Sequence, residues 1–230
     1  MFKNLIDKST LLFMSLTGGR LSRALADEQY AGNLALWDKH LSSHPKDPLE
    51  DQRLIPDMSY GYSSRLNEKL FLGGHPLNAS VNTCEVIAVW HALRFLGFDI
   101  PFPALLRHFS KKGICAGGLF GTSPKLLVRF FRERGFDTGV YTASAITPAL
   151  LDEKDSEETL CILTSFNKGQ NPFSMVHTMC LTKERGRWIR HNDGGARNCG
   201  SLKEAVFGYN SSLSHPIQLI FIKKENTPDM

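Results

Sequence analysis

The chain has no Cys-x-x-Cys pair, and its five cysteines, Cys84, Cys115, Cys161, Cys180 and Cys199, are odd in number and widely spaced. A secreted disulfide framework uses an even set, so the expected state is a reduced, cytoplasmic protein. A long basic block is also lacking. The 27 basic and 23 acidic residues leave a net charge of +4 scattered over 230 residues, with no aromatic-interleaved basic stripe. No nucleic-acid partner is expected from such a balance. No apolar run approaches the length of a membrane span. The short run Leu11-Leu12-Phe13-Met14-Ser15-Leu16 follows Asp7, and Gly18, Gly19, Arg20 and Arg23 separate it from the cleavage-like Ala24-Leu25-Ala26. That layout departs from a signal peptide. Internal repeats and low-complexity tracts are absent too.

What is present is an ordinary globular composition, 42% hydrophobic and 22% charged. Residues 1 to about 43 read as helical, with Leu21, Ala24, Leu25, Leu34, Trp37 and Leu41 recurring at helical spacing. Breaker-rich stretches at 42–48 and 59–64 follow, and the main domain is expected to begin near residue 66. Residues 1–65 are therefore read as a helical arm, whose apolar stripe needs a surface on its own domain or on another chain. Within 66–230, helices are predicted from Cys84 to a stop at Gly97, from Pro103 to Lys112, and from the Ser123-Pro124 start to Gly135. Strands follow at 159–166, 174–182, 187–191 and 217–222. Helices followed by strands on short turns indicate an α+β fold with an antiparallel sheet.

The segment Asn78-Ala-Ser-Val-Asn-Thr-Cys84-Glu85 precedes the apolar run of the first of these helices. Asn82 is a good N-cap, and Glu85 three residues on completes a capping box. Cys84 then falls in the first turn, where unpaired N–H groups and the helix dipole favour an anion. A thiol there is expected to have a lowered pKa, as a nucleophile requires. The competing reading is a small buried residue.

A nucleophilic cysteine needs a base, and the base an orienting group. Of the eight histidines, His91 lies two turns along the same helix, and His40, His44 and His75 fall in the arm or in loops. His177 opens the strand Met175-Val-His-Thr-Met-Cys180. A hairpin turning at Lys183-Glu-Arg-Gly186 returns Asn192 and Asp193 beside it, so either can hold the imidazole.

This order, a helix-borne Cys, a strand-borne His and then Asn or Asp, resembles the papain-like cysteine peptidases, and most closely the C39-like, bacteriocin-leader peptidase-like family. The resemblance covers about residues 70 to 225 and implies a papain-like fold, with a helix cluster packed on an antiparallel sheet. It implies Cys84 as nucleophile, His177 as base and Asp193 as acid, with Asn192 as the alternative orienter. It also implies Asn78, six residues before the cysteine, as the oxyanion donor. Two positions depart from the family pattern. Asp-Cys-Gly is here Thr83-Cys84-Glu85, and the oxyanion Gln is the shorter Asn78. Gly18-Gly19 and Gly73-Gly74 are similar to the double glycine at which such enzymes cleave leaders, although flexible turns account for both.

The expected function is a thiol-dependent hydrolase, a peptidase or amidase acting on a peptide or protein, with no cofactor. The alternatives are an acyl-transfer or deamidating enzyme on the same residues, and a papain-like module that binds without catalysis. A zinc site from His177, Cys180, His191 and Cys199 is disfavoured, because residues three apart on a strand face opposite sides. The glycine-rich 117–121 segment lacks a P-loop lysine and is read as a tight connection or cleft wall.

Overall fold

Local signals become the following elements, in chain order: α1 (Phe2–Leu16), β1 (Gly18–Gly19), α2 (Arg23–Ser42), α3 (Ala79–Asn82), α4 (Cys84–Phe95), α5 (Phe102–Lys112), β2 (Ile114–Cys115), α6 (Pro124–Arg132), β3 (Phe136–Thr142), α7 (Pro148–Lys154), β4 (Leu160–Phe166), β5 (Val176–Glu184), β6 (Arg187–His191), β7 (Arg197–Cys199), α8 (Leu202–Phe207) and β8 (His215–Lys224). The computed structural model describes residues 2–16, 18–19, 23–42, 70–72, 78–115, 121–155, 160–169, 175–193, 196–209 and 215–224. The boundary expected near residue 66, the loops at 43–48 and 59–64, Gly73-Gly74 and most of the 117–121 segment lie outside the described residues.

The fold is α+β around an open, antiparallel six-stranded sheet of order β3-β8-β4-β5-β6-β7. The continuous apolar run of β4 lies at its centre, buried at every residue, because helices cover both faces. Ile162 on β4, Cys180 on β5 and Ile220 on β8 share a core with α4, α5 and α6. On the other face, Leu163, Met179, Leu181 and Leu219 pack with Leu151 of α7 and Leu202, Ala205 and Val206 of α8. The β5–β6 hairpin turns at Arg185 and Gly186, both at positive φ, and pairs Glu184 with Arg187 through to Cys180 with His191. Helix α4 is buried from Cys84 to Leu93 and stops at Gly97, whose φ of 84° only glycine adopts without strain.

The N-terminal helices pack into this core, but not through the expected stripe. Ala24 and Leu25 are exposed and Leu34 is half-buried, whereas Ala26, Asn33 and Trp37 are buried. Leu21 and the side chain of Leu41 lie outside the described residues. Trp37 sets the phase: its ring lies 6.3 Å from that of Phe102, and the 3.6-residue period then puts Asn33 and Ala26 on the same face. Asn33 is tolerated there because it pairs like a strand residue. Its Nδ2 donates to the Phe71 carbonyl (2.9 Å), and its Oδ1 accepts from the Phe71 N–H (3.1 Å). Asp27 binds Arg107 and Lys111 of α5. Gly18-Gly19 is not a bare turn, since it pairs antiparallel with Ile114-Cys115. Among the described residues no helix is long and apolar enough to cross a membrane.

Candidate active site

Cys84 is the first residue of α4, but the local capping differs from expectation. Asn82 ends α3, and Thr83 occupies the cap position with its hydroxyl committed to the Ala79 carbonyl. The capping box is therefore not formed. Glu85 is buried instead, its carboxyl close to the Cys84 thiol and the Thr122 backbone N–H. Asn78 is the N-cap residue of α3, and Phe71 forms a β-bridge with it. The arm thus reaches the site through one short chain of contacts, Asn33 to Phe71 to Asn78.

The environment of Cys84 overturns the expected lowering of its pKa. Burial pushes the thiol well above its ordinary value, and the Glu85 charge pushes it further; the Thr178 backbone N–H and hydroxyl pull the other way. The magnitudes explain the outcome. A helix N-terminus contributes about 0.3–1 kcal/mol, less than one pKa unit, whereas full burial shifts a group by up to about 3–5 units. Local helix position predicts the opposite sign because it carries no information about what packs over the sulfur.

His177 begins β5 as expected, yet strand alternation turns its ring to the face shared with Met179 and Leu181, away from the Thr178 side chain that meets Cys84. There it stacks on Tyr209, with ring centroids 5.7 Å apart and planes at 27°. No hydrogen bond joins the Cys84 sulfur to the His177 ring among the described residues. Nε2 of His177 hydrogen-bonds the backbone carbonyl of Asn192. A carbonyl only accepts, so Nε2 carries the hydrogen and Nδ1 is the basic nitrogen. Burial lowers the imidazole to about 4, against the upward pull of that carbonyl and of the Asp193 charge.

The orienter is thus neither side chain expected. Asn192 has φ 66°, which turns its carbonyl to His177 while its Nδ2 donates to the Thr178 carbonyl (2.9 Å). The Asp193 carboxylate is held by Arg190, whose Nε and Nη2 both lie 2.7 Å from Oδ2, and it acts on His177 through its charge. Arg190 also donates to the Ala205 carbonyl (3.1 Å) and lies over the Tyr209 ring. Tyr209 faces both halves of the site. Its phenol is pushed up to about 12 by burial first, then by the charges of Asp193 and Cys84. Its hydroxyl donates to Asn167 (2.9 Å).

The fold therefore brings Cys84, His177, Asn192 and Asp193 to one end of the sheet, with Thr178 as the common neighbour of the first three. Thr178, Tyr209 and Arg190 escape sequence reasoning. Only the buried-strand position of Arg190, opposite Leu181, carried a signal that could have singled one of them out. His91, as expected, points elsewhere and stacks on His191 with ring centroids 4.6 Å apart. Cys180 packs on the α4 face while His177 faces α8, and no group of three or more potential metal ligands occurs among the described residues. His44 and His75 lie outside the described residues.

Comparison with protein-family models, with curated proteins and with solved structures finds no match to this chain.

Proposed function

We propose that the chain is a thiol-dependent hydrolase of papain-like architecture, a peptidase or amidase, with Cys84 as nucleophile and His177 as base. One observation carries the reading: Asn192 holds His177 in the tautomer whose Nδ1 is basic, and the N–H and hydroxyl of the adjacent Thr178 pull the Cys84 thiol down against its burial. Donors aimed at a sulfur stabilise it as thiolate, and an Nδ1-basic imidazole is the group that takes its proton. Asn78 and the Cys84 backbone N–H supply the oxyanion donors in this reading, and Asp193 is a positioning residue acting on His177 through its charge. The thiol rests protonated, and in this reading it becomes nucleophilic when the His177 Nδ1 takes its proton.

The second reading, a papain-like module that binds without catalysis, is favoured by the burial of Cys84 and its raised pKa. Labelling with iodoacetamide and with a peptidyl vinyl sulfone at pH 6 separates the two. An ordinary thiol near pKa 8.5 is almost wholly protonated there, while an imidazole-activated one reacts. The hydrolase reading expects labelling that Cys84→Ala abolishes and His177→Ala slows by about 10²-fold or more. No labelling of the parent at pH 6, or labelling that survives Cys84→Ala, supports the binding module instead.

A further inference from the structure

The charge of the chain is unevenly placed. Residues 94–134 hold eight basic and two acidic side chains, so this stretch alone outweighs the +4 of the whole. Its helices α5 and α6 pack in the core on the α4 side of the sheet. Of its two acids, Glu133 is taken up by Arg129. The cations gather at the surface of this pair. Lys112 and Arg134 both bear on the half-buried His108, and Arg134 lies over the Phe130 ring, 3.6 Å from its centroid. Lys112 and Lys125 are exposed, and neither is in an ion pair among the described residues.

Helix α1 meets this cationic face at its own last turn. Gly18-Gly19, just beyond α1, pairs with Ile114-Cys115, and the Cys115 thiol donates to the Met14 carbonyl (2.9 Å). Lys112 ends α5 three residues before Cys115. Leu126, in the first turn of α6, packs so closely on Gly113 that a Cβ there would lie 2.7 Å from its Cδ1. The end of α1, the end of α5 and the start of α6 are therefore neighbours. The inward face of α1 carries Met14 and Asp7, both buried, with Asp7 bound to His215 at 3.1 Å. An outward face that meets only water is polar. Lys8 and Ser9 fit that rule, but one turn further on stand Leu12 and Phe13, exposed at 53% and 50%. The core uses neither as it uses Met14.

We infer that the joined ends of α1, α5 and α6 dock on the surface of an anionic lipid bilayer. Leu12 and Phe13 enter the interface, while Lys8, Lys112 and Lys125 lie against the phosphate and carboxylate headgroups. An apolar helix face beside basic side chains is the pattern of an interfacial helix. Lysines near a bilayer attract anionic lipid, and their long stems run along apolar surface while the ammonium stays among the headgroups. A nucleic acid would meet the lysines and leave the apolar pair in water. A protein partner would need a hydrophobic hollow ringed by carboxylates, whereas a bilayer supplies both layers without a matched shape. At 15 residues α1 is too short to cross the hydrocarbon core, so the chain lies on the membrane. The docking is independent of the thiol chemistry proposed above.

Flotation of the full chain with lipid vesicles tests it. Vesicles of phosphatidylserine and phosphatidylcholine in equal parts should carry the protein, and vesicles of phosphatidylcholine alone should not. High salt should release it, because exposed charges are screened. Two paired variants separate the contributions. Leu12→Ser with Phe13→Ser removes the apolar contact, and Lys112→Glu with Lys125→Glu reverses the charge; each should lower vesicle affinity about tenfold or more. All four side chains are exposed, so both variants should keep the parental urea midpoint. Should the first pair not fold, the lysine pair still decides. No flotation of the parent, equal flotation with phosphatidylcholine alone, or binding that survives either pair overturns the membrane surface. A parent that stays off the vesicles but sediments as a dimer, and as a monomer in Leu12→Ser with Phe13→Ser, assigns the face to a second copy of the chain instead.

Discussion

Asn192 holds His177 with its backbone and Thr178 with its side chain. Its carbonyl accepts from the His177 ring, while its amide donates to the carbonyl of the residue next to that histidine. Both bonds depend on φ 66° at Asn192, a conformation that asparagine and glycine adopt more readily than other residues. The His177 ring is therefore oriented by a backbone conformation, which no side-chain deletion removes outright.

Substitution at this position should invert the usual order of alanine and glycine. Asn192→Gly loses the amide bond to Thr178 but keeps the left-handed backbone. Asn192→Ala loses the bond and adds about 1–2 kcal/mol of strain. Urea unfolding should rank Asn192→Gly above Asn192→Ala by roughly 1 kcal/mol, and the glycine variant should keep more of the Cys84 reactivity. Equal stabilities would mean that the turn relaxes to another conformation.

Asp193 should behave as a buried ion-pair partner before it behaves as an orienter. Its carboxylate and the Arg190 guanidinium are both largely buried, with side-chain exposures of 12% and 5%. Removing the charge in Asp193→Ala leaves Arg190 uncompensated, at a cost of about 3–5 kcal/mol. Because the Asp193 charge raises the His177 imidazole, the ring titration followed by proton NMR should move lower still in any variant that remains folded. A variant of parental stability with an unmoved His177 titration would assign Asp193 neither role.

Acid should unfold the protein through its histidines. Burial lowers His177 and His191 to about 4 and His91 well below the ordinary value near 6.5. Between these values the unfolded chain binds protons that the folded chain does not, so stability falls as pH drops from about 6.5 to 4, by about 1.4 kcal/mol per pH unit for each such group. Glu85, raised to about 7, opposes this: its folded form holds a proton that the unfolded carboxylate releases above about 4.5. With three groups against one, unfolding free energy from urea titrations should rise with pH across 4.5–6.5. A flat profile there would mean that the imidazoles remain hydrated in the fold.

The N-terminal arm should be needed for the core and felt at the site. Trp37→Ala should cost about 3–5 kcal/mol, as for a large buried aromatic. Asn33→Ala removes both bonds to Phe71 and strands two backbone groups, at about 1–3 kcal/mol each. Because Phe71 bridges Asn78, deleting residues 1–65 should lower stability and also change the alkylation rate of Cys84. Unaltered stability and kinetics in the truncated chain would make the arm a tether.

Much of the framework was legible in the sequence because its signals are local. The Ser123-Pro124 start of α6, the glycine stop after α4, the turn between β5 and β6 and the apolar run of β4 each follow from a few neighbouring residues. Strands β3 and β7 and helices α7 and α8 were not anticipated. They are short or only partly buried, and their apolar residues become a pattern only when the far side of the sheet supplies their partners. Asn33 shows the same limit, since a buried asparagine in an amphipathic helix makes sense only once Phe71 stands beside it.

At the candidate site the sequence by itself determined which groups could meet, because order along the chain and a short hairpin suffice to bring a helix start, a strand start and the residues after β6 to one end of the sheet. Only the tertiary structure decided what each group does there. A helix N-terminus by itself would lower the Cys84 thiol, and its burial against Glu85 raises it. Spacing allowed either the Asn192 or the Asp193 side chain to hold His177, and the backbone at φ 66° put the Asn192 carbonyl there instead. Desolvation and hydrogen-bond direction depend on atoms brought together from distant parts of the chain, so the sign of a pKa shift and the identity of a partner are settled only when the chain has folded.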